Sequence, residues 1–397
     1  MTNVPSIAFW EHTPPYDPAA GGIASYIQHR AQLLGRLGFD VWWANSVTCA
    51  NWAPSRQEWT ARRHFPIGRL RRPLLGRWPA LSPVWRYLAE ERAVDLFEFQ
   101  AGLNSWLSFR PGGPKIVLQC HTSTETRAFL NRDGDVEKRC ARFKKWARRN
   151  LRQAAGIVAC SNEIAMLEAG LFHVHPDRMC ILPHAFRLEA DPGLRRRNAG
   201  DGDGTFLVVG NVEYFKGLDL ILRGFEVYLQ GGGTHCLAVA GCGGLHELRT
   251  TSAIAPIKST VEKLWRDYGA ERIQFLGKLD KAALAKRRSA ATALVCGSRF
   301  EAFTMVAGEA FLTGCPVILS SRTGWNVLAN RYRAARLMDP YDALDVAAAM
   351  GEMENGEARN KYRQGGDALG DYLQSPELAN KTAQFYRRAL GEIAAAK

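Results

Sequence analysis

The sequence predicts an α/β fold of two units, each a parallel β-sheet covered by helices. Three observations support this: short apolar runs alternate with helical patterns, a Gly-rich polar stretch at 184–204 interrupts the alternation, and the chain has 397 residues. A chain of this length usually exceeds one hydrophobic core. A hydrophobic fraction of 46% and a charged fraction of 23% are those of a globular protein, which argues against fibrous classes and wholesale disorder.

In the first unit, short apolar runs predict the strands and a helical repeat predicts the first helix. Apolar residues recur at helical spacing from Ile23 to Leu37, and Gly38 ends the repeat. A second helix is expected at roughly Val136–Ala154. The predicted strands are Ser6–Trp10, Val41–Trp43, Asp95–Phe99, Lys115–Cys120 and Ile157–Cys160.

In the second unit the same alternation begins at Thr205. A helix is predicted at Thr304–Leu312, and apolar positions after Pro376 predict a closing helix. No short-period repeat is visible, which argues against a solenoid. The predicted strands are Phe206–Val209, Cys236–Ala240, Ile273–Leu276, Ala293–Cys296 and Pro316–Leu319.

The positive charge is concentrated in the first half of the chain. Lys and Arg number 52 and Asp and Glu 39, a net charge of +13. Residues 1–200 hold 28 basic and 17 acidic side chains (+11), whereas residues 201–397 hold 24 and 22 (+2). The first half is therefore expected to meet an anionic partner.

A basic amphipathic segment lies within that half. Apolar Val136, Phe143 and Leu151 share one helical stripe, and the Lys and Arg side chains of Lys138–Arg152 cover the remaining surface. Anionic lipid headgroups attract such a surface, so we expect peripheral, reversible association with the inner membrane face. A solvated face and recognition of a phosphorylated acceptor are the alternatives.

Cysteine usage and the N-terminal residues indicate the compartment. The nine cysteines are widely spaced and no C-x-x-C pair occurs, which argues against a zinc site and a disulfide framework. No signal-peptide pattern is visible, and no apolar run approaches the ~20 residues that span a bilayer. We expect a cytoplasmic protein with reduced thiols.

Two glycine-containing turns follow predicted strands and precede predicted helices. Gly21-Gly22 could bring backbone amides to an anion at a helix N-terminus, or could form a plain tight turn. This turn lacks the G-x-G-x-x-G pattern of a dinucleotide site. Lys216-Gly217 places a cation where it suits a diphosphate, although a lone lysine in such a turn is usually only solvated.

Two carboxylates in an apolar segment are the most informative feature. Glu301 lies in the turn before a predicted helix and Glu309 lies inside it. Ligands of open α/β sheets bind at the carboxyl ends of the strands, so both acids can border that crevice. The first-turn amides of Phe303, Thr304 and Met305 would point into it. A carboxylate suits a vicinal diol such as ribose; the alternative is a pair of ordinary helix acids.

The acid pair carries a resemblance to a known family. Glu301-x7-Glu309, followed by Thr313–Ile318, resembles the nucleotide-binding signature of the retaining glycosyltransferases of family four. Further matches occur in the family's order and, with this one, cover most of residues 6–325. They are the glycine loop Gly21-Gly22, the strand Val117–His121 ending in His, the strand Ala159–Ser161 ending in Ser, and the turn Lys216-Gly217.

The resemblance implies the GT-B architecture, an α/β fold of two facing Rossmann-like domains with a cleft between them. An N-terminal acceptor-binding domain is expected at 1–190, and a C-terminal domain that binds the nucleotide sugar is expected at 191–375. The closing segment, 376–397, is expected to form a helix that packs back toward the N-terminal domain.

The resemblance also implies roles for the donor-binding residues. Glu309 would bind the donor ribose, and Glu301 would contact the donor sugar near its reacting face. Lys216 would neutralise the leaving diphosphate. The glycine loop, Gly21-Gly22, would offer the Gly22 amide to the same diphosphate.

His121 would lie over the donor sugar and hold it or its developing charge. A histidine at a strand end is more often a structural hydrogen-bonder, but its position and the family match favour the functional role. The amides of 303–305 would contact sugar or phosphate. We therefore expect His121 and Glu301 to be catalytic.

Three positions depart from the family pattern. Asn211 stands where the family usually has a phosphate-binding Arg, so one cation is missing from a donor site that Asn211 is still expected to line. Arg299 could replace that cation. Ala302 stands where a glycine often follows the first Glu, and His184-Ala185 replaces the usual Asn-Gly near the linker.

These features together predict a retaining, metal-independent glycosyltransferase with no cofactor. Its donor would be a nucleotide-diphosphate sugar, with UDP-sugar favoured over GDP-sugar, and its acceptor a glycan, a lipid-linked glycan or another small acceptor, with an anionic one suiting the basic first half. An epimerase or a phosphorylase on the same scaffold is the alternative. A non-enzymatic nucleic-acid binder is the least favoured, because it leaves the ordered Gly, Lys and Glu motifs unexplained, and no nucleic-acid partner is expected.

Overall fold

The chain divides into two compact units. The first combines Met1–Arg187 with Leu373–Lys397, and the second is Leu188–Tyr372. The corresponding limits that we predicted lie at residues 190 and 375. The computed structural model describes residues 4–11, 14–16, 22–65, 82–101, 113–131, 134, 138, 147–186, 202–241 and 255–392.

Eight strands form the sheet of the first unit. They are β1 (Ser6–Trp10), β2 (Asp40–Ala44), β3 (Thr48–Ala53), β4 (Glu58–His64), β5 (Leu96–Gln100), β6 (Lys115–Cys120), β7 (Gly156–Ala159) and β8 (Met179–Ile181). Their order across the sheet is β4-β3-β2-β1-β5-β6-β7-β8. Neighbouring strands are parallel along β2-β1-β5-β6-β7-β8. At the β2 edge, β3 pairs antiparallel with β2, and β4 pairs antiparallel with β3. The central strands are largely buried and mostly apolar, as expected of a parallel sheet between helices.

Local capping explains where the helices of this unit begin. Ser161, the residue that ends the predicted strand motif, accepts a hydrogen bond from the Ile164 amide and thereby caps the helix that follows. Ser123 caps another helix in the same way. The labelled helices are α1 (Gly22–Arg36), α2 (Pro83–Arg86), α3 (Thr124–Leu130) and α4 (Asn162–Phe172). Of the helix predicted at Val136–Ala154, residues 138 and 147–154 are described, and 147–153 are helical.

The second unit contains a six-stranded, fully parallel sheet. Its strands are β9 (Thr205–Val209), β10 (Cys236–Ala240), β11 (Ile273–Gly277), β12 (Ala293–Cys296), β13 (Val317–Ser320) and β14 (Arg336–Met338). Their order is β11-β10-β9-β12-β13-β14, so β9 and β12 are neighbours at the centre. That neighbourhood brings the two loops that follow these strands to the same edge of the sheet.

Helices pack on the second sheet through an apolar core. Phe206, Phe225 and Met350 are buried in it, and a Cβ on Gly224 would lie 2.2 Å from Val346 Cγ1. Glycine at 224 therefore lets two helices approach closely. The helices are α5 (Leu218–Gln230), α6 (Ala255–Tyr268), α7 (Lys281–Ala290), α8 (Met305–Thr313), α9 (Asn326–Tyr332), α10 (Ala343–Glu354) and α11 (Gly356–Leu373).

The closing helix, α12 (Pro376–Leu390), belongs to the first unit. Ser375 caps its start, and Gly391 ends it in the left-handed conformation at φ +79°. A Cβ on Gly156 would lie 3.0 Å from Phe385 Cζ, so glycine lets α12 lie against β7. Residues 393–397 of the predicted closing segment lie outside the described residues.

All ten predicted strands are present, and each begins and ends within one residue of its prediction. The sequence analysis missed β3, β4, β8 and β14. Among the described residues, no helix is both long enough and apolar enough to cross a bilayer.

Candidate functional site

The carboxyl ends of β9 and β12 border one pocket in the second unit. Its floor is apolar and includes Val208, Val239 and Val295. The polar lining comes from Gly210, Asn211 and Lys216 after β9 and from Ser298, Glu301 and Thr304 after β12. This is the edge at which ligands of open α/β sheets bind.

A close backbone approach sets the position of the Lys-Gly turn. Gly217 has φ +70°, and a Cβ there would lie 2.1 Å from the carbonyl oxygen of Gly297. Only glycine fits this combination of a left-handed conformation and a backbone neighbour. The turn after β9 is therefore pressed against the loop after β12, which brings Lys216 to Glu301.

Lys216 and Glu301 form an ion pair in the pocket. Lys216 Nζ lies 2.5 Å from Glu301 Oε1, and Ser298 Oγ donates a hydrogen bond to Glu301 Oε2 at 2.9 Å. The side chains are 27% and 13% exposed, so both groups are partly shielded from water. Lys216, predicted to neutralise the diphosphate, and Glu301, predicted to contact the sugar, thus occupy the same pocket.

The backbone of Glu301 is also held in place. Glu301 forms an isolated parallel bridge with Thr323, and its carbonyl oxygen accepts from the Gly324 amide at 2.8 Å. Thr323 is itself buried. The carboxylate is therefore presented from a fixed segment rather than from a free loop.

Cys296 lies at the base of the same pocket but is a poor nucleophile. Burial raises the pKa of its thiol well above the ordinary value, and the Glu301 carboxylate adds to this, against a lowering by Lys216. The thiol stays protonated near neutral pH, and a protonated thiol is not the reactive form. Covalent catalysis through Cys296 is therefore disfavoured.

The residues 303–305 precede and begin α8. Thr304 is the N-cap residue and lines the pocket, and its carbonyl oxygen accepts from Trp325 Nε1 at 2.9 Å. The ring of Phe303 is buried against Trp325 at 3.7 Å between centroids. Met305 is the first residue of α8. This packing fixes the start of α8 at the pocket edge.

Glu309 lies inside α8 and is not part of the pocket lining. Its Oε2 accepts a hydrogen bond from Arg288 Nη1 of α7 at 2.7 Å. The Arg288 side chain is 5% exposed and that of Glu309 is 21% exposed. The arginine points the carboxylate along one direction, which suits a hydrogen-bond acceptor for a diol.

Arg299 is engaged by a carboxylate close to the Lys-Gly turn. Its two terminal nitrogens donate to the two oxygens of Asp219 at 2.8 and 2.6 Å, and its guanidinium lies 3.9 Å from the Tyr214 ring centroid. Nη1 also donates to the Tyr214 carbonyl. The arginine therefore stabilises the turn. That it replaces the phosphate-binding Arg which the family usually has at the position of Asn211 stays a prediction.

The remaining predicted residues belong to the first unit. Gly22 is exposed at the first position of α1, while Gly21 lies outside the described residues. His121 follows β6, and its Nδ1 lies 3.1 Å from Nε2 of His184. Its Nε2 atom is buried without a hydrogen-bond partner in the described part of the chain. Burial, and then the charge of Arg30, lower the pKa of His121 to about 3.

A buried polar network lies beside this histidine. Tyr26 Oη donates to Glu98 Oε1 at 2.7 Å and lies 3.0 Å from Gln119 Oε1, and Tyr386 Oη donates to Glu98 at 2.5 Å. Arg30 lies 5.1 Å from the Tyr26 ring centroid. Burial raises the pKa of Glu98, although Arg30 and the two tyrosine hydroxyls oppose the rise.

One group of side chains in the described residues has the spacing of metal ligands. The donor atoms of His121, Cys160 and His184 lie within 4.8 Å of one another. The carboxyl ends of the adjacent strands β6, β7 and β8 bring them together. The nearby positive charge of Arg30, which lowers the pKa of both histidines, disfavours a cation there.

Sequence reasoning missed four residues that hold the predicted site residues. Arg288 contacts Glu309, and Asp219 contacts Arg299. Ser298 contacts Glu301, and His184 contacts His121. Only His184 carried a signal, because it replaces the asparagine that the family usually has. The other three come from segments whose local patterns are ordinary.

Two family models match the chain. Residues 20–190 match the model described as Glycosyltransferase Family 4, and residues 194–368 match the model described as Glycosyl transferases group 1. The two matches are consecutive and cover most of the chain.

Individual proteins are similar over most of their length. A D-inositol 3-phosphate glycosyltransferase of Nocardioides sp. is 23% identical over 307 residues, covering 72% of this chain and 67% of that protein. The sucrose-phosphate synthase structure from Thermosynechococcus elongatus has a TM-score of 0.71 at 19% identity, covering 98% of this chain and 100% of that one. The Anabaena protein Alr3699/HepE, solved with UDP and glucose, has a TM-score of 0.60 at 14% identity, with coverages of 98% and 100%.

Proposed function

Because the chain belongs to glycosyltransferase family 4 and shares the GT-B fold of its structural neighbours, we propose that it is a retaining enzyme that uses a nucleotide-diphosphate sugar. It transfers the sugar to a hydroxyl acceptor. The observation that carries this proposal is the Lys216–Glu301 pair, 2.5 Å apart in the pocket at the ends of β9 and β12.

The pair supplies the two charges that donor cleavage needs. When the bond between the sugar C1 and the phosphate oxygen breaks, negative charge grows on the diphosphate and positive charge grows on the sugar. Lys216 neutralises the first, and Glu301 holds the sugar hydroxyls and stabilises the second. The first-turn amides of α8, with Thr304 as the N-cap, add donors for sugar or phosphate oxygens.

Transfer proceeds by attack on the same face of the sugar. A leaving phosphate oxygen takes the proton of the acceptor hydroxyl, the acceptor oxygen bonds to C1, and the diphosphate departs with that proton. The anomeric configuration is retained because entry and departure share one face. The positive charge of Lys216 and the backbone amides serve the diphosphate, so the proposal includes no metal ion and no cofactor.

The favoured donor is a UDP-sugar, with a GDP-sugar second. Glu309 accepts hydrogen bonds from the ribose hydroxyls. Arg288 holds the Glu309 carboxylate in position through a hydrogen bond of 2.7 Å. Asn211 and the Gly22 amide contribute polar contacts to the donor. The complex of the Anabaena neighbour with UDP and glucose supports this choice of nucleotide.

The favoured acceptor carries a phosphate or another anionic group. The excess of +11 in residues 1–200 supports it, as does the phosphorylated acceptor in the name of the Nocardioides relative. A lipid-linked glycan at an anionic membrane surface would satisfy the same charge through Lys138–Arg152. Most of that segment lies outside the described residues.

A donor and acceptor screen tests the proposal. The purified chain is incubated with UDP-, GDP- and ADP-sugars and with phosphorylated or unphosphorylated inositol and hexoses, and released nucleoside diphosphate is measured. We expect release that needs one donor and a phosphorylated acceptor, that persists in EDTA, and that yields the donor's anomer by NMR. Co-sedimentation with anionic vesicles at low salt tests the membrane surface.

Each part of the proposal has its own contrary outcome. If no nucleotide sugar released its nucleoside diphosphate and no nucleotide gave a thermal shift, the result would contradict donor use. An inverted anomer would contradict retention, and loss of release in EDTA would contradict metal independence. Faster release with a neutral than with a phosphorylated acceptor would contradict the acceptor class.

A further inference from the structure

His121 and His184 form a hydrogen-bonded pair in the first unit. His121 follows β6 and His184 follows β8, with β7 between them in the sheet. Nε2 of His184 lies 3.1 Å from Nδ1 of His121, and the ring centroids are 4.8 Å apart. The parallel strands thus deliver two imidazoles to one point from distant parts of the sequence.

Both imidazoles are neutral near pH 7. Burial is the main cause that lowers the pKa of each, and the positive charge of Arg30 lowers both further. A neutral imidazole carries one N–H donor and one acceptor nitrogen. A hydrogen bond between the two rings therefore links their tautomers: when His184 donates from Nε2, the proton of His121 lies on Nε2.

Tyr26 packs against both rings of the pair. Its ring centroid lies 4.6 Å from that of His121 and 4.6 Å from that of His184. The hydroxyl of Tyr26 is itself held by Glu98 and Gln119. Both imidazoles therefore pack against a side chain that is fixed at its far end.

We propose that His184 is a positioning residue for His121: it donates a hydrogen bond to Nδ1 and so keeps the single proton of His121 on Nε2. That Nε2 is buried and has no partner among the described residues, and buried polar atoms in proteins are almost always paired. A diphosphate sugar presents many acceptor oxygens, which an Nε2–H can meet. The inference rests on the proposed function, which assigns His121 to the donor sugar.

Metal binding is the alternative role for this pair. Cys160 completes a group of three donors within 4.8 Å. A bound cation would have to replace the hydrogen bond between the rings and would stand near the buried charge of Arg30. We therefore favour the hydrogen bond, and the experiments below distinguish the two.

The first experiment measures the tautomer directly in the ligand-free protein. NMR of the 15N-histidine-labelled chain, assigned with His121→Gln and His184→Gln variants, reports which ring nitrogen carries the proton. We expect His121 to be neutral with its proton on Nε2, and this proton to move to an Nδ1/Nε2 mixture in His184→Phe. A proton on Nδ1 of His121 in the parent chain would overturn the proposal.

The second experiment measures turnover in variants that separate packing from hydrogen bonding. His184→Phe keeps a ring and removes the donor, so kcat should fall about 10–100-fold, the range known for loss of the group that orients a metal-bound histidine. His184→Gln keeps an N–H donor and should recover part of the loss. UDP lacks the sugar to which the proposed function assigns His121, so UDP affinity should not change in either variant.

The controls separate this inference from the proposed function. His175→Phe alters an exposed histidine of the same unit and should leave kcat unchanged. If His184→Phe does not fold, His184→Gln and His184→Ala provide the comparison: equal kcat in these two would overturn the proposal. If a chelator lowered the kcat of the parent chain as much as the His184→Phe substitution does, the pair would be assigned to a metal instead. If no donor is used at all, the proposed function fails, while the tautomer measurement still decides on the hydrogen bond.

Discussion

Lys216 Nζ lies 2.5 Å from Glu301 Oε1, so the two groups expected to serve opposite charges on the donor neutralise each other in the free protein. Ser298 holds the second oxygen of Glu301 at 2.9 Å. Under the proposed function a donor would replace this contact on both sides, since its diphosphate would attract Lys216 and its hydroxyls would donate to Glu301. In the free protein the pair leaves neither charge unpaired in the pocket.

Removing the lysine should slow the reaction far more than removing another paired lysine. Lys216→Ala is expected to lower kcat/KM about 10²–10³-fold, because it removes a charge that stabilises the departing diphosphate. Nucleotide release measures this. The matched control is Lys258→Ala, which breaks an exposed pair with Glu262 in the same unit and should leave kcat/KM unchanged. Similar losses in both variants would refute the role of Lys216.

Arg288 should control nucleotide affinity through Glu309. Arg288→Met removes the hydrogen bond at 2.7 Å, so the carboxylate loses its fixed direction. We expect UDP to bind about tenfold more weakly, equivalent to ~1.4 kcal/mol, by calorimetry. Arg287→Met changes the neighbouring exposed arginine and should not alter the affinity. An unchanged Kd in Arg288→Met would separate Glu309 from ribose binding or show that the carboxylate needs no support.

Two glycines with positive φ distinguish backbone strain from steric conflict. A Cβ on Gly232 (φ +87°) would meet no described atom within 4 Å, whereas a Cβ on Gly217 (φ +70°) would lie 2.1 Å from the Gly297 carbonyl oxygen. Gly232→Ala should cost about 1 kcal/mol of the free energy of unfolding, the cost of the left-handed conformation alone. Gly217→Ala should cost more and also impair donor binding. Urea unfolding measures both, and equal losses would refute the close approach.

The histidine pair should make stability depend on pH. The folded-state pKa of His121 is lowered to about 3 from an ordinary value of 6.5, and that of His184 is also lowered. Below pH 6.5 the unfolded chain therefore binds protons that the folded chain does not, so the free energy of unfolding falls as the pH is lowered. Each histidine contributes at most about 1.4 kcal/mol per pH unit.

Urea midpoints between pH 7 and 5 measure this dependence. His121→Phe and His184→Phe should each flatten the curve, because each removes one group that titrates only in the unfolded chain. His175→Phe removes an exposed histidine and should leave the slope as it is. A parent chain whose stability is constant over this range would contradict neutral burial of the pair.

The strands that the sequence predicted are those whose burial makes them mostly apolar. β1, β5 and β6 lie at the centre of a sheet, so most of their residues are hydrophobic and the run is visible despite the buried polar Glu98 and Gln119. β4 is an edge strand in which Trp59 alone is buried, and its sequence is mostly polar. β8 and β14 have three residues each, too few for any pattern to appear.

The predicted site residues were those that belong to a local motif. Lys216 and Glu301 lie in turns with recognisable neighbours, and the structure brings these two together in one pocket. Arg288 lies one helix earlier than Glu309, and nothing in the sequence of α7 indicates that a buried arginine there faces a carboxylate. Long-range pairing of this kind depends on how helices pack, which a single sequence does not display.

The shared position of Glu98 has a consequence for the order in which the chain folds. Glu98 accepts hydrogen bonds from Tyr26, near the N-terminus, and from Tyr386 in α12, so its buried carboxylate is complete only when the last helix has docked. Domains generally fold as they leave the ribosome, N-terminal first. Here the second unit is synthesised in full before the first can close its core. The first unit therefore stays incompletely folded while the second is synthesised. During this period a chaperone would be needed.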